Sequence, residues 1–96
     1  MSNIYYVIGI ILKSGKHKFI SWVHDKDDYE LIEDPTKCSD CCRYKTSKQA
    51  KVGINILKRG AAPGDYVVFP DRRRIIEELK NDPWFVAEIG NTVRKV

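Results

Sequence analysis

The sequence predicts an α+β domain: a small, mostly antiparallel sheet with an N-terminal β-hairpin, one main helix at 47–59 packed on the sheet, and a short second helix at 71–80. Three observations carry this reading. Apolar residues crowd both sides of Lys13-Ser14-Gly15-Lys16, a capped amphipathic stretch runs from Thr46 toward Gly60, and Trp84–Ile89 is rich in strand-forming residues near the C-terminus.

Between residues 4 and 12, Ile4, Tyr6, Ile8, Ile10 and Leu12 share one face, and Tyr5, Val7 and Ile11 the other, as expected of a central strand. β-branched and aromatic content favours strand over helix here. Gly15 supplies the positive φ that a tight turn needs, and Phe19, Ile20, Trp22 and Val23 form the antiparallel return. An acidic loop follows, with a third short strand around 29–32. Thr46 can cap the amides of the main helix while Gln49 reaches back to the cap, and Gly60 stands where a left-handed residue ends it. Ala50, Gly53, Ile54 and Leu57 form the stripe that meets the sheet, with Gly53 permitting close approach. Residues 66–69 read as another strand. Pro70-Asp71 opens the second helix, with Ile75, Ile76 and Leu79 inward and Asn81-Asp82-Pro83 closing it. After Trp84–Ile89, Gly90-Asn91 suits a type II′ hairpin into 92–96.

The 96 residues fit one domain, 1–96, and with 43% hydrophobic and 31% charged residues the chain can bury a core without being disordered. The apolar run at 4–12 has nine residues, about half of what a membrane-spanning helix requires, and has no signal-peptide flanks. A cytoplasmic protein is the expectation. The net charge of +4 is uneven: between 25 and 34, six acids face Lys26 alone, a net −5, which leaves +9 elsewhere. Such asymmetry can steer an anionic partner to one face, and it also fits opposite charges side by side on a solvated surface. It argues against a mimic of DNA.

Cys38, Cys41 and Cys42 crowd into five positions, and three thiols without a secretory signal imply no disulfide framework. Cys38-x-x-Cys41 has the spacing of a metal knuckle that His24 or His17 could complete, but there is no second Cys/His pair. The competing role for Cys41 or Cys42 is that of a small buried apolar residue. No metal site and no cofactor is expected. A calcium loop starting at Asp25 fails because Glu30 stands where Gly is required and Thr36 where Glu is.

The run Cys41-Cys42-Arg43-Tyr44-Lys45-Thr46-Ser47-Lys48-Gln49-Ala50, following a hairpin and an acidic loop, resembles a loose class of small phage and mobile-element proteins of mostly unknown function. Their shared pattern, small-x-x-aromatic-x-Thr/Ser-x-x-x-Ala, opens a helix and covers about half of this chain by such hairpin and helix signals. The class usually has Ala at the position of Cys41 and Phe at that of Tyr44. The resemblance therefore implies a packing role for Cys41, and it brings no catalytic residues. The part after Pro70 departs from the pattern.

Sequence supports for hydrolysis, phosphoryl transfer or redox chemistry (GxSxG, P-loop, GxGxxG, HExxH, paired carboxylates) are absent, so no enzyme is expected. A cysteine paired with His24 as nucleophile and base would require geometry that sequence cannot supply. The charged feature that breaks a local rule is Arg72-Arg73-Arg74, directly after the cap Asp71, where each cation costs about 0.3–1 kcal/mol against the helix dipole. Arginine forks suit bidentate contact with phosphate or carboxylate, and Lys58 and Arg59 can extend the patch. Tyr5, Tyr6, Trp22, Tyr66 and Trp84 read as core and not as a base-stacking platform. The expectation is a non-catalytic binding protein of phage or mobile-element type that modulates or inhibits a host nucleic-acid-processing or defence protein through Arg72, Arg73, Arg74, Lys58 and Arg59. The acidic loop would be a second contact. The alternatives are a direct binder of nucleic acid or a signalling nucleotide, and a small zinc-stabilised module.

Overall fold

The computed structural model describes residues 4–26, 28–58, 79 and 81–96. Among these residues the strands are β1 (Tyr5–Ile11), β2 (His17–Val23), β3 (Asp28–Ile32), β4 (Trp84–Ile89) and β5 (Val93–Lys95), and the helix described along its length is α1 (Ser47–Lys58). The five strands form one antiparallel sheet in the order β3-β2-β1-β4-β5. β1 lies in the middle, which is why both of its faces are apolar. Ile8 and Ile10 enter the core beneath α1, and Val7 enters a second core on the opposite face with Phe19, Phe85, Ala87 and Ile89. No described helix is long and apolar enough to cross a membrane.

The local signals act as the sequence predicts. Gly15 has φ +88°, and its N–H donates to Leu12 O at 2.8 Å while Leu12 N–H donates to Lys16 O at 2.9 Å. Thr46 Oγ1 accepts from Gln49 N–H at 3.1 Å, so Thr46 caps α1. Gln49 Oε1 accepts from Lys45 N–H at 3.3 Å, one residue earlier than a capping box would place it. Ala50, Gly53 and Leu57 are buried and Ile54 is half-buried, the stripe read from spacing. The close approach at Gly53 is to Tyr44: a Cβ there would stand 2.5 Å from the Tyr44 hydroxyl, inside any tolerable contact.

The last hairpin differs from its expected turn. Ile89 pairs with Val93, which leaves a three-residue loop of Gly90, Asn91 and Thr92, and Gly15 alone among the described glycines has a positive φ. A type II′ turn would need that conformation at Gly90 and would pair Ile89 one residue earlier. The strand expected at 66–69, the cap at Gly60 and most of the helix expected at 71–80 lie outside the described residues. Leu79 is helical and packs against the core beneath α1.

The first hairpin holds a feature with no local signal. Direct pairing of β1 with β2 covers Gly9 to Phe19, Ile10 to Lys18 and Ile11 to His17. Beyond Gly9 the segment 38–44 takes the place of a strand partner. Tyr44 exchanges two backbone bonds with Tyr6, each 2.8 Å. Ser39 Oγ accepts from Trp22 N–H at 2.9 Å, Ser39 N–H donates to Ser21 Oγ at 2.9 Å, and Cys38 Sγ lies 3.5 Å from Ile20 O. The segment thus wedges the hairpin open and satisfies backbone groups that its strands leave unpaired there. Cys38 joins the core on one face of the sheet and Cys42 the core on the other.

Candidate binding surface along the main helix

Of the five basic residues expected to form one patch, Arg59, Arg72, Arg73 and Arg74 lie outside the described residues. Lys58 closes α1, half-buried, with Nζ 5.4 Å from the centre of the Trp84 ring. It is engaged in a cation–π contact with a ring that also donates Nε1–H to Leu79 O at 2.8 Å. Trp84 is therefore half-buried against the core, with Lys58 over its ring and its indole N–H bonded at the edge, which disfavours a stacking platform. Trp22 is buried against Tyr29, and Tyr5 is covered by the Arg43 guanidinium at 4.8 Å.

The cysteines divide by exposure. Cys38 and Cys42 are buried, whereas Cys41 is exposed, which corrects the packing role that the resemblance implied for Cys41. Residues 40–42 form a single 3-10 turn, whose side chains point about a third of a turn apart, so adjacent cysteines cannot both face the same core. Burial pushes the Cys38 thiol up to about 11 and Cys42 up to about 12, the reverse of what a thiolate ligand or nucleophile needs. His24 Nδ1 accepts from Trp22 Nε1–H at 3.2 Å, and His17 lies against the Phe85 ring at 5.2 Å, so both histidines are engaged elsewhere. Among the described residues no three His, Cys, Asp or Glu side chains converge on a point where a metal ion could be held.

The acidic segment makes local pairs. Lys18 Nζ reaches Glu33 Oε1 at 2.6 Å, and this hydrogen bond with its charge holds the Glu33 carboxyl below its ordinary value. Asp34 caps the short turn Pro35–Lys37 by accepting from Thr36 N–H at 3.0 Å and Thr36 Oγ1–H at 2.6 Å, and these bonds lower its carboxyl too. Asp28 and Glu30 lie on β3, an edge strand of the sheet. Charge on an exposed edge discourages pairing with other chains.

The concave feature of this surface was missed in the sequence. An apolar groove of about 400 Å³ runs between α1 and the 41–44 end of the wedge. One wall is Tyr29, Cys41, Cys42 and Tyr44, and the other is Val52, Ile56 and Leu57, with Lys48 and Gln49 toward the start of the helix. Val52 and Ile56 are 53% and 43% exposed, outside the stripe that the sheet covers. The sequence held a signal for this: Val52 and Ile56, four apart, widen the apolar arc of α1 beyond what one buried face requires. The opposite wall has no such signal, because it exists only where the wedge enters the sheet. α1 carries Lys48 and Lys51 and no acid, Lys45 precedes it, and among the described residues no carboxylate pairs with these three. Comparison with protein-family models, curated proteins and solved structures finds no match to this chain.

Proposed function

We propose that this chain is a non-catalytic binding protein that works by occupying the surface of another protein. The observation that carries the reading is the apolar groove beside α1, with the exposed Val52 and Ile56 at its edge. Exposed aliphatics next to a concave apolar surface suit a partner's side chains. The protonated, buried thiols of Cys38 and Cys42 and the engaged histidines also support binding over catalysis. The resemblance to small phage and mobile-element proteins supports a host protein of nucleic-acid processing or defence as the target, with Arg72, Arg73 and Arg74 as a further contact.

Affinity capture from host extract, with and without nuclease, tests this. A partner protein retained after nuclease and lost on replacing Val52 and Ile56 with Ser is the expected result. Loss of all capture after nuclease, with affinity falling steeply as salt rises, would replace it with direct nucleic-acid binding, since phosphate contacts release counterions. Replacing Arg72, Arg73 and Arg74 together with Glu isolates their share, because acids suit the start of the helix expected at 71–80 and should leave the fold in place.

A further inference from the structure

We infer that the groove beside α1 receives an acidic amphipathic helix of its partner, an inference that rests on the protein-binding reading above. Charge selects the class. Among the described residues the groove lining contains no acid, and Lys48 stands at its end with Lys51 and Lys45 nearby on the chain, none of them paired with a described carboxylate. A partner with carboxylates flanking an apolar stripe satisfies these lysines as it fills the groove. A second copy of this chain does not: its α1 carries lysines and no acid, so a symmetric α1 to α1 contact brings these lysines no carboxylate.

Backbone geometry selects a helix over a strand. An extended peptide docks by adding main-chain bonds to a free edge, but Tyr44, on the groove wall, already gives its N–H and C=O to Tyr6, and β3, which brings Tyr29 to that wall, carries the charged Asp28 and Glu30 that discourage such pairing. The groove offers side chains instead. Lys48, Val52 and Ile56 follow one another at four-residue spacing over about 12 Å of α1, the ridge against which a helix with anchors at i, i+3 or i+4, and i+7 can pack.

The probes are three synthetic 16-residue helical peptides: one with a leucine stripe flanked by Glu, one with the same stripe flanked by Lys, and one with the Glu composition but the stripe scrambled. Binding is followed by amide NMR shifts on the full chain. The Glu peptide is expected to shift residues 41–44 and 48–57 and to bind at least about tenfold tighter than the Lys peptide, with that preference reversed in the Lys48→Glu, Lys51→Glu variant. The scrambled peptide should not bind. Equal binding of the Glu and Lys peptides in the groove would overturn the acidic class while leaving the protein-binding reading in place. No peptide binding, with host capture still lost in the Val52→Ser, Ile56→Ser variant, would overturn the helix inference alone. No peptide binding with capture unaffected would overturn both. Shifts at Lys45, Lys48 and Lys51 produced by a single-stranded oligonucleotide, and not by the Glu peptide, would transfer this face to nucleic acid.

Discussion

At the turn end of the first hairpin, Gly9, Ile10 and Ile11 pair directly with Phe19, Lys18 and His17, whereas at the open end Tyr6 pairs with Tyr44 and Trp22 with Ser39. The turn end is closed by residues close in sequence, around a glycine at φ +88°. The open end is closed by a segment that first runs out through β3 and the turn Pro35–Lys37 before returning between the strands. The difference shows how one hairpin can be both a local unit and a socket. Its open end exists only when the wedge is seated, and the wedge supplies one wall of the groove. The binding surface therefore depends on the less local end.

Four perturbations break or sharpen this contrast. The largest effect falls on the floor that both ends share. Leu57 is 3% exposed and belongs to the core with Ile10 near the turn and Trp22 near the opening. Leu57→Ala should cost about 2–5 kcal/mol in urea unfolding, through lost burial and a cavity. A change within about 0.5 kcal/mol would mean that this face of α1 carries no core.

Alkali separates the two ends next. Cys38, Cys42 and Tyr44 all belong to the wedge, and burial raises their pKa values to about 11, about 12 and about 12. Unfolded thiols ionise near pH 9, so the stabilisation from keeping them protonated is whole below that value and is lost as pH rises through 11 and 12. The melting temperature should fall across this window. A Cys38→Ala, Cys42→Ala variant, less stable at neutral pH, should show a flatter decline, and an unchanged slope would place the thiols in contact with water.

Ser39→Ala then tests the open end alone. It removes the hydroxyl that accepts from the buried Trp22 N–H and should cost about 1–3 kcal/mol. In the parent one thiol, Cys41, should react quickly with a disulfide reagent. In the variant Cys42 should become reactive at denaturant concentrations below global unfolding, which would show the wedge leaving before the sheet.

The smallest effect is at the turn. Gly15→Ala forces a side chain into the left-handed region with nothing within 4 Å to hold it, and should cost about 1–2 kcal/mol without changing thiol reactivity. Equal exposure of Cys42 in both variants would mean that the two ends open together.

Much of this molecule is legible residue by residue. The hairpin turn at Gly15, the cap at Thr46, the buried stripe Ala50, Gly53, Ile54 and Leu57, and the strand from Trp84 each arise from φ preference, capping or periodicity within a few residues, so sequence determines them. Half of the groove is legible in the same way, in Val52 and Ile56. Tertiary structure decided the rest: β4 beside β1 in the middle of the sheet, the 38–44 segment between β1 and β2, the burial of Cys38 and Cys42 while Cys41 stays exposed, and the wall that turns two exposed aliphatics into a groove. The physical reason is that a strand's unpaired backbone groups must be satisfied, but nothing in their own residues says by which segment. That choice is made by chains distant in sequence, through bonds such as Tyr6 to Tyr44 and Trp22 to Ser39 that carry no local signature.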